Sequence, residues 1–291
     1  PALCRHDAGD PPFPPPHPQP LVRLLQWTIS MPHLLNVWPS VSRQLASSPR
    51  VLLLFDYDGT LTPIVARSEM AILPDETRRS LSVLAALDRF VVGVVSGRGL
   101  LDLEAMVAIP GLVYAGNHGL EISGLEMDYV HPEAPGFEAC LADVADLLEA
   151  ELAEVPGLVV DNKRLTLTVH FRNTPDSFET QVDSAVVATV APYVQTGQMM
   201  LTRGKKVVEV RPNLDWGKSQ AIEKIRRECV DNPLPVFFGD DQTDEDGFAV
   251  VQDAGGLAVF IGSTRQSTKA LHQLESPAEV GQVLELLARL D

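Results

Sequence analysis

Cysteine is scarce in this chain of 291 residues: Cys4, Cys140 and Cys229 are odd in number, far apart and form no CxxC pair. A disulfide framework and a thiolate zinc site are therefore not expected, and reduced thiols are, with Cys140 and Cys229 on apolar helix faces. Long apolar runs are also missing. No stretch approaches the roughly 18 residues of a membrane span. No basic region followed by an apolar one opens the sequence, so a signal peptide is not expected and a cytoplasmic location is. Positive charge is in short supply, with 23 Lys and Arg against 39 Asp and Glu, a net charge of −16. That balance argues against a broad nucleic-acid or anionic-membrane surface, and it makes any local cluster of cations informative. Nucleotide signatures are lacking too. There is no GxGxxG, and Gly217-Lys218-Ser219 has Pro212 where a P-loop needs its first glycine. The acidic run 240–246 fails as a calcium loop, because its frame starts at Gln242 and closes on Asp253 rather than Glu.

Hydrophobic residues make up 45% of the chain, enough for a substantial core. Residues 1–20 hold eight prolines and read as a loose, partly polyproline tail. Two short helical patterns follow between Leu21 and Ser48, broken by Pro32 and Pro39. Val51-Leu52-Leu53-Leu54-Phe55 has no polar face, the mark of a strand buried on both sides. Phe90 to Val95 and Leu112 to Gly116 repeat that pattern. A helix beginning at Pro74-Asp75-Glu76 lies between the first two strands, with acids complementing its dipole. Strands alternating with helices at this pitch predict an α/β fold with a doubly wound, Rossmann-like parallel sheet.

The texture changes after residue 118. Phe137, Cys140, Leu141, Val144, Leu147, Leu148 and Leu152 predict an amphipathic helix, Leu158–Val160 and Leu165–Arg172 predict antiparallel strands, and Ser177–Val190 a further helix. Met199–Val210 reads as a hairpin turning at Arg203-Gly204. The parallel pattern resumes with a helix over 215–229, strands at Val236–Gly239 and Ala258–Ile261, and a closing helix over 279–290. The expected division is a tail with short helices over 1–46, a core over 47–118 and 213–291, and an inserted α+β domain over 119–212.

Four strand ends or helix starts carry polar groups: Asp56 and Asp58, Ser96, Lys218, and the run from Gly239 to Glu245. Ligands bind at the carboxyl ends of strands in open α/β sheets. Two carboxylates two residues apart repel unless a cation lies between them or one keeps its proton. Asp56-Tyr57-Asp58-Gly59-Thr60-Leu61 resembles the first motif of the haloacid dehalogenase superfamily, and Ser96, Lys218 and Asp240-Asp241 match its second, third and fourth in order. The resemblance implies Asp56 as nucleophile and Asp58 as acid and base, with Ser96 and Lys218 on the transferring phosphoryl oxygens. An anionic nucleophile needs charge neutralisation to approach a phosphate. Mg2+ is thus the expected cofactor, with Asp56, Asp58, Asp240, Asp241 and Asp244 as its candidate ligands.

The insertion narrows the expected substrate. Arg203, Lys205, Lys206 and Arg211 lie within nine positions, and Lys163, Arg164 and Arg172 fall on neighbouring predicted strands. Such a cluster in an acidic chain suits a phosphorylated, hydroxyl-rich ligand, and Glu209 among the cations supplies an acceptor for hydroxyls. The Asn117-His118-Gly119-Leu120-Glu121 segment, Asn162-Lys163 with His170-Phe171-Arg172, and Gly204-Lys205 with Glu209-Val210-Arg211-Pro212 resemble the trehalose-6-phosphate phosphatases. The likeness covers about residues 47–291, with Phe171 standing where that family usually has Tyr. It implies a mobile cap that closes over the sugar. It assigns Lys205, Glu209 and Arg172 to glucose or phosphate-side contacts, and His118 and Glu121 to the neighbourhood of the hinge. Arg98, Asn117, Lys163 and Arg211 complete the expected substrate-binding set. The expectation is a Mg2+-dependent phosphomonoesterase acting on trehalose 6-phosphate, with a trehalose-phosphate synthase as candidate partner. The rivals are a phosphatase for another sugar phosphate, of sucrose or mannosylglycerate type, a phosphomutase, and a non-catalytic sugar-phosphate sensor.

Overall fold

The computed structural model describes residues 31–204, 206–263 and 267–290. The tail of 1–20, the helical pattern of 21–30, Cys4 and Lys205 lie outside them. In chain order the elements are α1 (Trp38–Ala46), β1 (Val51–Phe55), α2 (Asp75–Ala85), β2 (Phe90–Val95), α3 (Leu100–Val107) and β3 (Val113–Gly116). Then come β4 (Glu121–Gly124), β5 (Met127–Val130), α4 (Glu138–Glu151), β6 (Val159–Asn162), β7 (Leu167–His170), α5 (Glu179–Gln195), β8 (Met199–Gly204) and β9 (Val207–Pro212). The chain finishes with α6 (Lys218–Glu228), β10 (Leu234–Gly239), α7 (Glu245–Asp253), β11 (Leu257–Ile261), β12 (His272–Leu274) and α8 (Pro277–Leu287).

The first sheet has the order β12-β11-β10-β1-β2-β3-β4-β5. Its pairs from β12 to β3 are parallel, and β3-β4-β5 is antiparallel. β1 is central and wholly buried, because its two faces feed two different cores. Val51, Leu53 and Phe55 join Val41 and Leu45 of α1, Leu81 and Leu84 of α2, and Val283 and Leu287 of α8. Leu52 and Leu54 join Ala221, Ile222 and Ile225 of α6 with Phe248 and Val251 of α7. That is why the strand shows no alternation: each side chain has an apolar partner whichever way it points. Each such burial is worth about 1.5–3 kcal/mol, which makes β1 a rigid base for the loop that follows it.

Two readings of the sequence change here. Pro39 does not break a helix but opens α1, standing in its first turn, where the missing N–H has no partner to lose. Residues 121–130, assigned with the rest of 119–212 to an insertion, extend the first sheet as the hairpin β4-β5. Leu125 and Glu126 make that turn with φ of 53° and 62°, and such left-handed pairs carry no signal unless Asn or Gly stands there. The second sheet, in the order β6-β7-β9-β8, is antiparallel. One of its faces packs Leu167, Val169, Val208 and Val210 on Leu141, Val144 and Leu148 of α4 and Val182, Val186 and Val190 of α5. The β8-β9 hairpin turns after Gly204, slightly beyond the expected position. Among the described residues no helix is long and apolar enough to cross a membrane.

Candidate active site

The loop after β1 prolongs the sheet by one rung, the Asp56 N–H donating to Phe238 O at 2.8 Å. The chain then folds back on itself: Leu61 N and Thr62 N both donate to Tyr57 O, and Gly59 N to Thr62 O. Tyr57 anchors the loop from below, its hydroxyl donating to Ala71 O at 2.7 Å. Gly59 has φ of 91°, and a Cβ there would lie 2.1 Å from Asp240 Oδ2, so only glycine lets the two loops meet. From the start of α6, the buried Lys218 ammonium reaches Asp56 Oδ1 at 2.6 Å and Asp244 Oδ1 at 2.7 Å. The other oxygen of Asp244 accepts from the backbone N–H groups of Asp240 and Asp241 at 3.0 and 3.1 Å. Asp56, Asp240 and Asp244 each turn a carboxylate oxygen into one space, all within 4.8 Å of one another.

Beside this centre Arg98 grips Asp58 with both arms, Nε to Oδ2 and Nη2 to Oδ1, each at 2.7 Å. A bidentate fork of this kind fixes the plane of the carboxylate as well as its position. The Ser96 hydroxyl, at the end of β2, is buried and accepts from Arg98 N at 3.3 Å. Charge accumulates here. Burial, with Asp244 and Asp241 close by, pushes the Asp240 carboxyl up to about 8. Burial also raises Asp56, against the pull of Lys218. Burial disfavours the Lys218 cation, yet Asp244 and Asp56 outweigh it and hold that ammonium firmly protonated.

The second sheet faces this centre with its polar side. Asp161, Thr168, Glu209 and Thr202 are paired across the four strands and so share one face. Glu209 meets His118 Nε2 at 2.9 and 3.0 Å, and Lys163 Nζ bonds Gly97 O at 2.9 Å. Asn117 takes a hydrogen bond from Thr166 Oγ1 and gives one to Glu121 Oε2 and one to Lys163 O. Arg164 pairs with Glu121 and Glu138. Arg172 Nη1 donates to Val65 O at 2.6 Å, in the loop beyond β1. Asn117 and His118 adopt left-handed φ values of 49° and 57°, an uncommon state for non-glycine residues that turns both side chains towards the second sheet. Burial opposes ionisation of Glu209, but His118, Lys163 and Arg211 more than offset it and bring its carboxyl down to about 2. His118 itself is held below its ordinary value, chiefly by burial, with Arg211 and Lys218 adding to the effect.

Residues 54–278 match the profile of the trehalose-phosphatase family. The chain belongs to the trehalose-phosphatase family. It is 30% identical over 275 residues to trehalose-phosphate phosphatase B of Arabidopsis thaliana, spanning 90% of this chain and 72% of that protein. A probable trehalose-phosphate phosphatase 4 of Oryza sativa subsp. japonica is 32% identical, over 91% of this chain and 72% of the rice protein. In three dimensions the chain is similar to the C-terminal domain of the C. albicans trehalose-6-phosphate phosphatase. The TM-score is 0.77 at 25% identity, over 90% of this chain and 99% of that one. A haloacid dehalogenase-like hydrolase from Bacteroides thetaiotaomicron, 16% identical with a TM-score of 0.56, shares the fold. Trehalose-phosphatases are phosphomonoesterases, and the fold is the α/β haloacid dehalogenase type.

Within this trehalose-phosphatase framework the expected site residues separate into groups. Asp56, Lys218, Asp240 and Asp244 converge. Asp58, also expected as a ligand, stands outside that trio with both oxygens on Arg98. Asp241 stands outside it as well: it is exposed, and its Oδ1 caps the next turn by accepting from Thr243 N and Oγ1 at 2.8 and 2.7 Å. Arg98, expected to meet substrate, is engaged by Asp58, Ser68 O and Met106. Asn117, His118, Glu121, Lys163 and Glu209 meet one another where the two sheets face, and Arg211 donates to Trp216 O nearby. Sequence reading passed over Thr166 and Thr168, which tie Asn117 and Lys163. Their alternation in Leu165–Val169 puts both on the polar face and is the signal that was available. Gly59 was quoted only as part of a motif, and its close approach to Asp240 belongs to the tertiary fold.

Proposed function

We infer that this chain hydrolyses trehalose 6-phosphate to trehalose and phosphate through a phosphorylated Asp56. The observation that carries the reading is the buried Lys218 ammonium between Asp56 and Asp244, with Asp240 alongside, in a chain of this family. A divalent cation fits that group. The donors are all carboxylate oxygens, as a hard cation requires, and three carboxylates against one ammonium leave two negative charges, which the two positive charges of Mg2+ would match. An Asp240 carboxyl raised to about 8 is the electrostatic mark of that surplus. Asp56, Asp240 and Asp244 would hold the ion, which when bound supplies the neutralisation that lets an anion approach a phosphate.

The chain's own groups then divide the work. An Asp56 oxygen attacks phosphorus and the bond to the sugar oxygen breaks, with Asp58 giving that oxygen its proton. Arg98 holds Asp58 in a fixed plane during this transfer. Water, passing its proton to Asp58, attacks the same phosphorus and frees Asp56. Lys218 and the Ser96 hydroxyl face the phosphoryl oxygens, where negative charge is spread in the transition state. The part carrying the second sheet acts as a cap whose polar face, with Glu209 on it, meets the sugar hydroxyls and excludes water.

Phosphate release measured over a panel of sugar phosphates tests the selectivity. Trehalose 6-phosphate should be turned over fastest, and equal rates across the panel refute it. Asp56→Asn should abolish release, by about 10⁴-fold or more given the loss of a nucleophile. Activity that survives this change removes Asp56 from its role.

A further inference from the structure

All three carbonyls of the Ser96-Gly97-Arg98 turn are held. Ser96 O accepts from His118 N at 2.9 Å and Arg98 O from Asn117 N at 2.7 Å, both donors lying at the end of β3 in the first sheet. Gly97 O accepts from Lys163 Nζ at 2.9 Å, and Lys163 lies between β6 and β7 of the second. An ammonium has three N–H donors. Lys163 spends one on Gly97 O and one on Thr168 Oγ1 at 2.8 Å, and Glu209 Oε1, at 3.7 Å, lies nearest the third. With 10% of its side chain exposed, Lys163 has two of its three donors committed to protein oxygens and its charge beside Glu209. The turn also lies close against His118, since a Cβ on Gly97 would sit 2.7 Å from His118 Nε2. What the turn presents is the Ser96 hydroxyl and the Arg98 fork on Asp58. Gly97 is the residue in it with the widest conformational freedom, and its peptide is the one tied by the second sheet.

We propose that Lys163 is a positioning residue: by capping the Gly97 carbonyl it couples the seating of the second sheet to the alignment of Ser96 and, through Arg98, of Asp58. The proposal rests on the phosphatase reading above and assigns Lys163 to the turn rather than to the sugar. The reaction centre is then complete only when the second sheet is seated, whatever the leaving group. A sugar contact would matter to sugar esters alone. A positioning contact matters to every phosphomonoester, because a misplacement of about 1 Å at the reacting groups costs up to about 100-fold in rate.

The experiment compares steady-state kinetics of the full chain with Mg2+ on trehalose 6-phosphate and on p-nitrophenyl phosphate, which carries no sugar. Lys163→Met keeps the apolar stem and deletes the donors. It should lower kcat by about 10- to 100-fold on both substrates while KM for trehalose 6-phosphate moves less than about threefold. Lys163→Arg, which restores a donor, should recover most of that kcat. A raised KM for trehalose 6-phosphate with unchanged p-nitrophenyl phosphate turnover overturns the proposal, and so does no change on either substrate. Should Lys163→Met fail to fold by circular dichroism, Thr168→Val takes its place. Loss of that tether should lower kcat on both substrates alike, and a selective effect on trehalose 6-phosphate overturns the proposal. A wild-type chain that releases phosphate from neither substrate refutes the phosphatase reading itself, and the positioning role with it.

Discussion

Gly59 leaves the least latitude of any residue at the site. Its φ of 91° and the Asp240 carboxylate lying where a Cβ would go both demand glycine. Gly59→Ala should leave the protein folded but lower kcat/KM by about 100-fold, since the Asp240 carboxylate must move aside to admit a methyl group. Unaltered kinetics in a folded variant would show that the position of the Asp240 carboxylate does not matter to turnover. Glu209 carries the pH dependence of the junction between the sheets. Its carboxyl lies at about 2 in the folded chain against 4.5 ordinarily, so its contribution is present above about pH 4.5 and is lost as pH falls through about 2. The size is about 3 kcal/mol. In urea denaturation the gap in stability between wild type and Glu209→Gln should therefore be largest near pH 6 and shrink towards pH 3. A gap that does not vary with pH would mean that the His118, Lys163 and Arg211 environment does not hold the carboxylate ionised.

Among the elements, α6 starts against its own electrostatics. It begins with Lys218, a cation at the positive end of a helix, which the macrodipole disfavours. Asp56 and Asp244 reverse that balance from the loop after β1 and from the turn before α7. Lys218→Met should lose activity and, by leaving buried carboxylates without their cation, destabilise the fold by about 3–5 kcal/mol in urea denaturation. A variant as stable as wild type would show that those carboxylates carry protons. Other elements show how far local pattern reaches. The all-apolar run Val51–Phe55 is legible as a buried strand because cores lie on both its faces. The β4-β5 hairpin was not, because its strands are short and its turn uses Leu125 and Glu126. Pro39 reads equally as a break or as a first turn, and only the packing of Val41 and Leu45 decides for α1.

For the whole molecule, the surplus negative charge at the centre links metal, pH and stability. With Asp240 raised from 3.8 to about 8 in the folded chain, proton binding favours the fold. That contribution is complete below about pH 3.8 and lost as pH rises through about 8. In EDTA, Tm should fall between pH 5 and pH 8. Mg2+ should raise Tm, and raise it more at pH 8 than at pH 5, where protons compete for the same oxygens. Equal Mg2+ shifts at both pH values would place the ion away from Asp240. The two sheets are joined by polar contacts, His118 to Glu209, Lys163 to Gly97 and Thr166 to Asn117, beside a small apolar cluster of Leu120, Ala134 and Leu165. A junction with this polar share fits the cap motion proposed above.

Four short motifs and the run of apolar strands were enough, without coordinates, to read an α/β core and to pick out Asp56, Ser96, Lys218 and Asp240. Each of those residues ends a strand or begins a helix, and strand ends are marked locally by where apolar runs stop. The tertiary structure decided which carboxylates converge, leaving Asp58 to Arg98 and Asp241 to Thr243. It also decided that Lys163 faces a backbone carbonyl. Those outcomes depend on contacts between residues 40 to 66 or more positions apart, or on how a single turn is capped, and no local periodicity records them.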